Sequence, residues 1–239
     1  MTSFAKTIAA ERPEEIALRD PRQALTWLDV DNVLNRAANA IRLADTGPDL
    51  RIAVFAENGV ETALANLGGL IGGASVVPIN FHLTAEEVAY ILSDSGARMV
   101  FLGPETAERG LEAAALAGID QIIGWRCEIP GLKSWSEWLA ASSPGEPDTS
   151  IPPRPNLLYT SGTTGRPKGT HLPPTMFAGG DTVEAHLQNL KLNPLAALGP
   201  HLVVGPMYHT GPLSGARLLA AGAPSVILTK FDPENTLKT

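Results

Sequence analysis

The sequence is short of cysteine, of clustered charge and of unbroken apolar runs, and each shortage removes a class of protein. One cysteine, Cys127, in 239 residues rules out an intrachain disulfide framework and fits a reducing compartment. The net charge of -7 is spread along the chain without a basic block, so nucleic acid is not expected as a partner. Thr62–Ala85 and Leu192–Ala216 contain no Asp, Glu, Lys or Arg. The first is broken by Asn66, four glycines, Pro78 and Asn80, the second by Pro194, Pro200, Pro206 and Pro212. A membrane span needs about 20 predominantly apolar residues in an unbroken helix, so no transmembrane segment is expected. The opening MTSFAKTIAAERPEE lacks an apolar core and does not read as a secretory signal, which leaves a cytoplasmic location as the default. Neither GxxxxGK[ST] nor GxGxxG occurs. His82, His171, His186 and His201 lack zinc-ligand spacing.

What is present is ordinary globular composition, 44% hydrophobic with 23 Gly and 20 Pro, enough for one large domain or two small ones. Short apolar runs begin at Arg51, Ser75, Arg98 and Gln121, a nearly constant interval, with helical patterns between them at about Val60–Ile71, from Thr84 to Ser95, and at Glu105–Ala117. Such alternation argues for an α/β fold, a parallel sheet wrapped by helices. Ile16–Arg19 and Ala24–Trp27 flank Asp20-Pro21 as a hairpin. Thr26 with Asp29, and Thr84 with Glu87, have N-cap spacing. Ser142–Pro155 holds five prolines in fourteen residues and reads as a loop between a first subdomain, 1–150, and the start of a second, 151–239. In the second, Asn156–Thr160, His201–Gly205 and Ser225–Thr229 read as strands, Gly180–Leu190 and Leu213–Ala221 as helices. The glycines at 68, 69, 72 and 73 read as close helix packing, Trp125, Trp135 and Trp138 as core, and Cys127 as inert. Asp232-Pro233 opens a helix with six residues to follow, so the chain is expected to continue in a longer protein.

The chemistry lies in Leu157–Gly169, LLYTSGTTGRPKG. An apolar strand runs into Thr160, Ser161, Gly162, Thr163, Thr164 and Gly165, and Lys168 follows. Small residues allow close backbone approach to a ligand. Successive N–H groups in such turns form anion-binding nests, and a lysine adds a mobile positive charge suited to phosphate. Together they ask for a polyphosphate.

Tyr159–Gly169, YTSGTTGRPKG, resembles the phosphate-loop signature of the adenylate-forming superfamily, which includes acyl-CoA and aryl-CoA ligases, luciferases and the adenylation domains of peptide synthetases. Gly68–Asn80, Gly205–Leu213 (GPMYHTGPL) and Ala221–Glu234 resemble three further segments of that superfamily, so the likeness runs over essentially the whole chain. It implies parallel-rich sheets flanked by helices, an incomplete N-terminal domain of two subdomains with the C-terminal domain absent. It implies activation of a carboxylic acid, expected to be a fatty acid, by ATP with magnesium to an acyl-adenylate, then transfer to coenzyme A. Carried over, Ser161–Gly165 would cradle the β- and γ-phosphates, Thr160 would lie beside the phosphates and the magnesium, and Lys168 would stand at the far side of the loop. His209 is the candidate catalytic residue. It would line the acyl pocket near the reacting carboxylate, with Met207, Tyr208 and Gly211 shaping that pocket. It is not proposed as a general base, because a carboxylate is already ionised at neutral pH.

Amino-acid-activating relatives usually carry an Asp in this segment. Here Tyr208-His209-Thr210 stands instead, with no acid until Asp232, which points to an acid without an α-amine. Pro173-Pro174 depart from the family pattern after Gly169, so the following helix is expected to start late. The family's Tyr-Gly-x-Thr-Glu and Tyr-x-Thr-Gly-Asp segments do not occur, and these 239 residues are expected neither to bind ATP tightly nor to turn over. Two rivals stay open: an enzyme that loads a carrier-protein thiol, and a non-catalytic nucleotide-binding or interaction module. Oligomeric state, a homodimer included, is open as well. A long-chain acid would add peripheral membrane contact.

Overall fold

The computed structural model describes residues 4–129, 132–160, 167–171 and 179–238. Helix α1 (Phe4–Glu11) precedes strands β1 (Ile16–Arg19) and β2 (Ala24–Thr26), which pair antiparallel around the Asp20-Pro21 turn. Asp20 fixes that turn: its Oδ1 accepts from the backbone N–H of Arg22 at 2.8 Å and of Gln23 at 3.0 Å. The strand stops one residue earlier than the sequence pattern indicates, because Thr26 caps helix α2 (Trp27–Leu43) in a reciprocal box with Asp29.

Then come β3 (Arg51–Phe55), α3 (Val60–Ile71), β4 (Ser75–Pro78), α4 (Ala85–Ser95), β5 (Met99–Leu102), α5 (Ala107–Ala117), β6 (Gln121–Gly124), β7 (Lys133–Ser134) and α6 (Trp135–Ala140). The strands form one sheet in the order β4-β3-β5-β6-β7, every neighbour parallel. Thr84 and Glu87 make the expected capping box, and Gly96 ends α4 in a left-handed conformation. Strand side chains alternate between two cores. Ile52, Val54, Val76, Met99 and Phe101 face α2 and α3, while Ala53, Phe55, Val77, Val100 and Leu102 face α4 and α5.

Helix α3 is buried all round, and its glycines are there for contact. A Cβ on Gly68 would lie 2.7 Å from the Ala37 Cβ of α2, and one on Gly69 would lie 2.6 Å from Val76 Cγ2. The tryptophans are core as expected: Trp135 and Trp138 stack at 5.3 Å, and Phe101 meets both edge-on. Burial and the nearby Glu105 push the Cys127 thiol pKa up, away from the reactive thiolate.

The remaining elements are β8 (Leu157–Thr160), β9 (Lys168–His171), α7 (Val183–Lys191), a 3-10 turn at Pro194–Ala197, β10 (His201–Val203), α8 (Thr210–Ala216), a 3-10 turn at Arg217–Ala221, β11 (Ser225–Ile227) and α9 (Pro233–Lys238). A second sheet runs β10-β11-β1-β2, with β1 parallel to β11, so it draws strands from both sides of residue 151. Two expectations are corrected. The Leu213–Ala221 helix starts at Thr210 and tightens to 3-10 after Ala216. The 180–190 helix starts at Val183, because Gly180 has φ +118° and Thr182 is the N-cap. Strand β9 is not expected from the sequence pattern. Among the described residues no helix is long and apolar enough to cross a membrane.

Candidate functional site

β8 and β9 form an antiparallel hairpin in which Leu157 pairs with His171, Tyr159 with Gly169 and Thr160 with Lys168. The last pair sets the two ends of the intervening loop opposite each other. Thr160 and Lys168 are both exposed there. Ser161, Gly162, Thr163, Thr164 and Gly165 lie outside the described residues.

The hairpin is tied down at its base. Ser75 Oγ donates to the Pro155 carbonyl at 2.7 Å, and Arg154 Nη1 to the Gly73 carbonyl at 2.8 Å. Leu157 enters the core between the main sheet and α4. Tyr159 anchors the loop side: its hydroxyl donates to Asp94 Oδ2 at the end of α4 over 2.6 Å. Burial first, and the Asp94 carboxylate second, push the Tyr159 pKa well above the ordinary phenol value. Gly169 is small because Tyr159 lies over it; a Cβ there would be 3.1 Å from Tyr159 Cζ. Below the hairpin, Arg217 Nη2 donates to Asn156 Oδ1 at 2.7 Å, both residues being buried. Desolvation pulls the Arg217 pKa down to about 10.

The 205–211 segment follows β10. Tyr208 and His209 have ring centroids 4.3 Å apart, and Tyr208 meets Phe81 edge-on at 5.3 Å; Phe81 in turn touches His82 at 4.3 Å. Four rings from two distant segments thus form one chain of contacts. Arg109 holds the second segment, donating to the Phe81 carbonyl at 2.9 Å and to that of Leu83. His209 is exposed and is the N-cap residue of α8. Gly211 is exposed, and a Cβ there would meet nothing within 4 Å. Met207 points inward and is 1% exposed. Its backbone N–H donates to Asn58 Oδ1 at 2.8 Å. Asn58, Phe81 and Arg109 were not legible as site residues. Phe81 follows a strand like any loop aromatic, and an Asn before Gly reads as a turn.

Among the described residues no group of three His, Cys, Asp or Glu is placed to hold a metal. A cavity of 620 Å³ opens at the ends of β1 and β11, lined among others by Arg19, Asp20, Thr229 and Lys230; none of the hairpin residues or the four rings lines it. Thr160 and Lys168, both exposed, lie opposite each other across the hairpin ladder.

The family model described as "AMP-binding enzyme" matches residues 5–239. The chain belongs to that family. Feruloyl-CoA synthase from an Amycolatopsis species is 32% identical over 228 residues, 92% of this chain and 42% of the relative. The long-chain-fatty-acid–CoA ligase FadD13 of Mycobacterium tuberculosis is 30% identical over 218 residues, 87% of this chain and 40% of the relative. The inhibitor-bound N-terminal domain of FACL13 from M. tuberculosis superposes with TM-score 0.76 at 25% identity, over 98% of this chain and 58% of that one. The chain therefore spans about two fifths of the length of these curated relatives. Its α/β architecture, parallel sheets flanked by helices, is the one these AMP-binding N-terminal domains share.

Proposed function

We propose that these 239 residues form the N-terminal part of an AMP-forming acid–thiol ligase, the portion from 151 carrying its phosphate loop. The reading rests on one observation: the β8–β9 ladder ends on Thr160 opposite Lys168, bracketing a Ser-Gly-Thr-Thr-Gly loop. A triphosphate gathered there would meet the Thr160 hydroxyl and the Lys168 ammonium. In the first step a carboxylate oxygen bonds to the α-phosphorus of ATP and the bond to pyrophosphate breaks. Negative charge grows on phosphate oxygens, and fixed donors stabilise it at no cost of reorganisation; removing one such donor costs about 3–4 kcal/mol. A thiol then attacks the acyl carbon and AMP leaves; coenzyme A is the proposed thiol. Magnesium is proposed as the ion carried by the triphosphate, beside Thr160. The acid is proposed to lack an α-amine and to lie against Tyr208 and His209, with Gly211 leaving space open. A fatty or aryl acid fits that aromatic face.

The test is a titration of the ¹⁵N-labelled chain with magnesium tripolyphosphate. Shifts confined to the 157–171 hairpin, weakened in Lys168→Ala and Thr160→Val, are expected. Absence of any hairpin response at millimolar tripolyphosphate would refute the site. No pyrophosphate release from ATP is expected of the 239-residue chain with any acid; robust turnover would refute its being a part only.

A further inference from the structure

Asn58 follows β3 at its C-terminal end and is 4% exposed. Its side chain crosses from the main sheet to the second sheet. Nδ2 donates to the Gly205 carbonyl at 2.8 Å, just past β10, and to the Leu228 carbonyl at 3.1 Å, just past β11. Oδ1 accepts from the Met207 N–H at 2.8 Å. One amide thus ties the C-terminal ends of three strands, the end at which open α/β sheets bind ligands. Two carbonyls and one N–H demand two donors and an acceptor on the same short side chain, which only an amide supplies. The Met207 N–H also fixes which way the amide is turned.

The two residues after Met207 are Tyr208 and His209, and the Pro206 carbonyl accepts from the His209 N–H at 3.0 Å. The Asn58 bonds therefore grip the stem of the turn whose tip carries both rings. Across from that tip stands Phe81, held by Arg109, whose guanidinium carbon lies 5.3 Å from the centre of the Phe55 ring in β3, the strand that leads to Asn58. Both walls of the ring cluster are thus referenced to one strand.

We infer that Asn58 is a positioning residue for the acid site: it sets the Gly205–His209 turn so that Tyr208 and His209 face Phe81. This rests on the acyl-site reading above. Asn58 itself touches no reacting atom. Asn58→Asp keeps the shape but replaces both donors by carboxylate oxygen facing two carbonyls, and Asn58→Leu removes all three bonds.

The test uses the full 239-residue chain, with sodium benzoate and sodium decanoate as probes. In Asn58→Leu amide exchange at Met207–His209 is expected to rise about tenfold or more, the size of one lost buried hydrogen bond; in Asn58→Asp, which keeps an acceptor for the Met207 N–H, a smaller rise is expected, and exchange in β3 and β5 is expected to stay unchanged in both. The Phe81–Tyr208 ring Overhauser contact and the response of the His209 ring signals to the probes are expected to disappear. Unchanged exchange at Met207 and an unchanged His209 response in folded variants overturn the inference. Raised exchange in the variants, with no His209 response even in the unmutated chain, supports the Asn58 tie and overturns the acyl-site reading alone. Should neither variant fold, the Asn58 side-chain amide of the unmutated chain decides. Its protons are expected to exchange at least about tenfold more slowly than those of exposed Asn32; equal rates overturn the inference.

Discussion

The Tyr159–Asp94 hydrogen bond is the most direct handle on the β8–β9 hairpin. Tyr159→Phe removes one hydroxyl that donates to a carboxylate at 2.6 Å and leaves the ring over Gly169. A bond to a charged acceptor contributes about 1.5–3 kcal/mol when buried. Asp94 is exposed and regains water once the hydroxyl is gone, so the expected loss falls to about 1 kcal/mol. For a chain of this size that lowers the melting temperature by about 2–4 °C. Asp94→Ala should cost a similar amount, and the double variant little more than either single one, giving a coupling near 1 kcal/mol. The pH dependence carries an independent signature. The folded Tyr159 pKa is raised, so its contribution is fully present below the unfolded phenol value near 10 and is lost as pH climbs through the higher folded value. Urea melts from neutral pH to about pH 11 should therefore show the gap between the parent and Tyr159→Phe steady up to about pH 10 and shrinking above it. A coupling indistinguishable from zero, or a gap that widens in alkali, would refute the assignment of Tyr159 as the hairpin's anchor.

Three further outcomes are expected. Gly69→Ala drives a methyl to within 2.6 Å of Val76 and 2.7 Å of Ile52 and should cost about 1–3 kcal/mol by chemical denaturation. Thr84→Ala should cost about 1 kcal/mol by removing the α4 cap, whereas Thr84→Ser should cost much less; equal losses would point away from the capping box. Lys168→Ala should leave stability within about 0.5 kcal/mol, since the side chain is exposed, while weakening tripolyphosphate binding.

Where the sequence could be read, the signals were local. The spacing of apolar runs from Arg51 to Gly124 placed the parallel sheet, because each βαβ repeat writes its own period. Thr26 and Thr84 marked helix starts because a cap needs only residues three apart. The same reading passed over Ser134 and Glu137, which make an identical box opening α6; the spacing was there to be found. What stayed hidden depends on partners far along the chain. β9 carries Lys, Gly, Thr and His and becomes a strand only by lying against β8. The Leu213–Ala221 pattern looked like one helix, yet its backbone tightens at Arg217, whose guanidinium reaches Asn156. At the candidate site, the loop signature and the Tyr-His pair were visible as strings. The amide that orders the Tyr-His turn, 149 residues away from Met207 in sequence, was not.

The second sheet sets a timetable for folding. Leu18 is matched with Ser225 and Arg19 with Val226, so β1 waits for a strand 207 residues further along the chain. Until then β1 offers an open edge on the side that β11 will occupy, the geometry that invites pairing with other chains. Contacts this far apart slow closure and lengthen that exposure. Shortening the polypeptide ahead of Ser225 removes the natural occupant of that edge, and the expected product is a sticky, aggregating species instead of a smaller soluble unit.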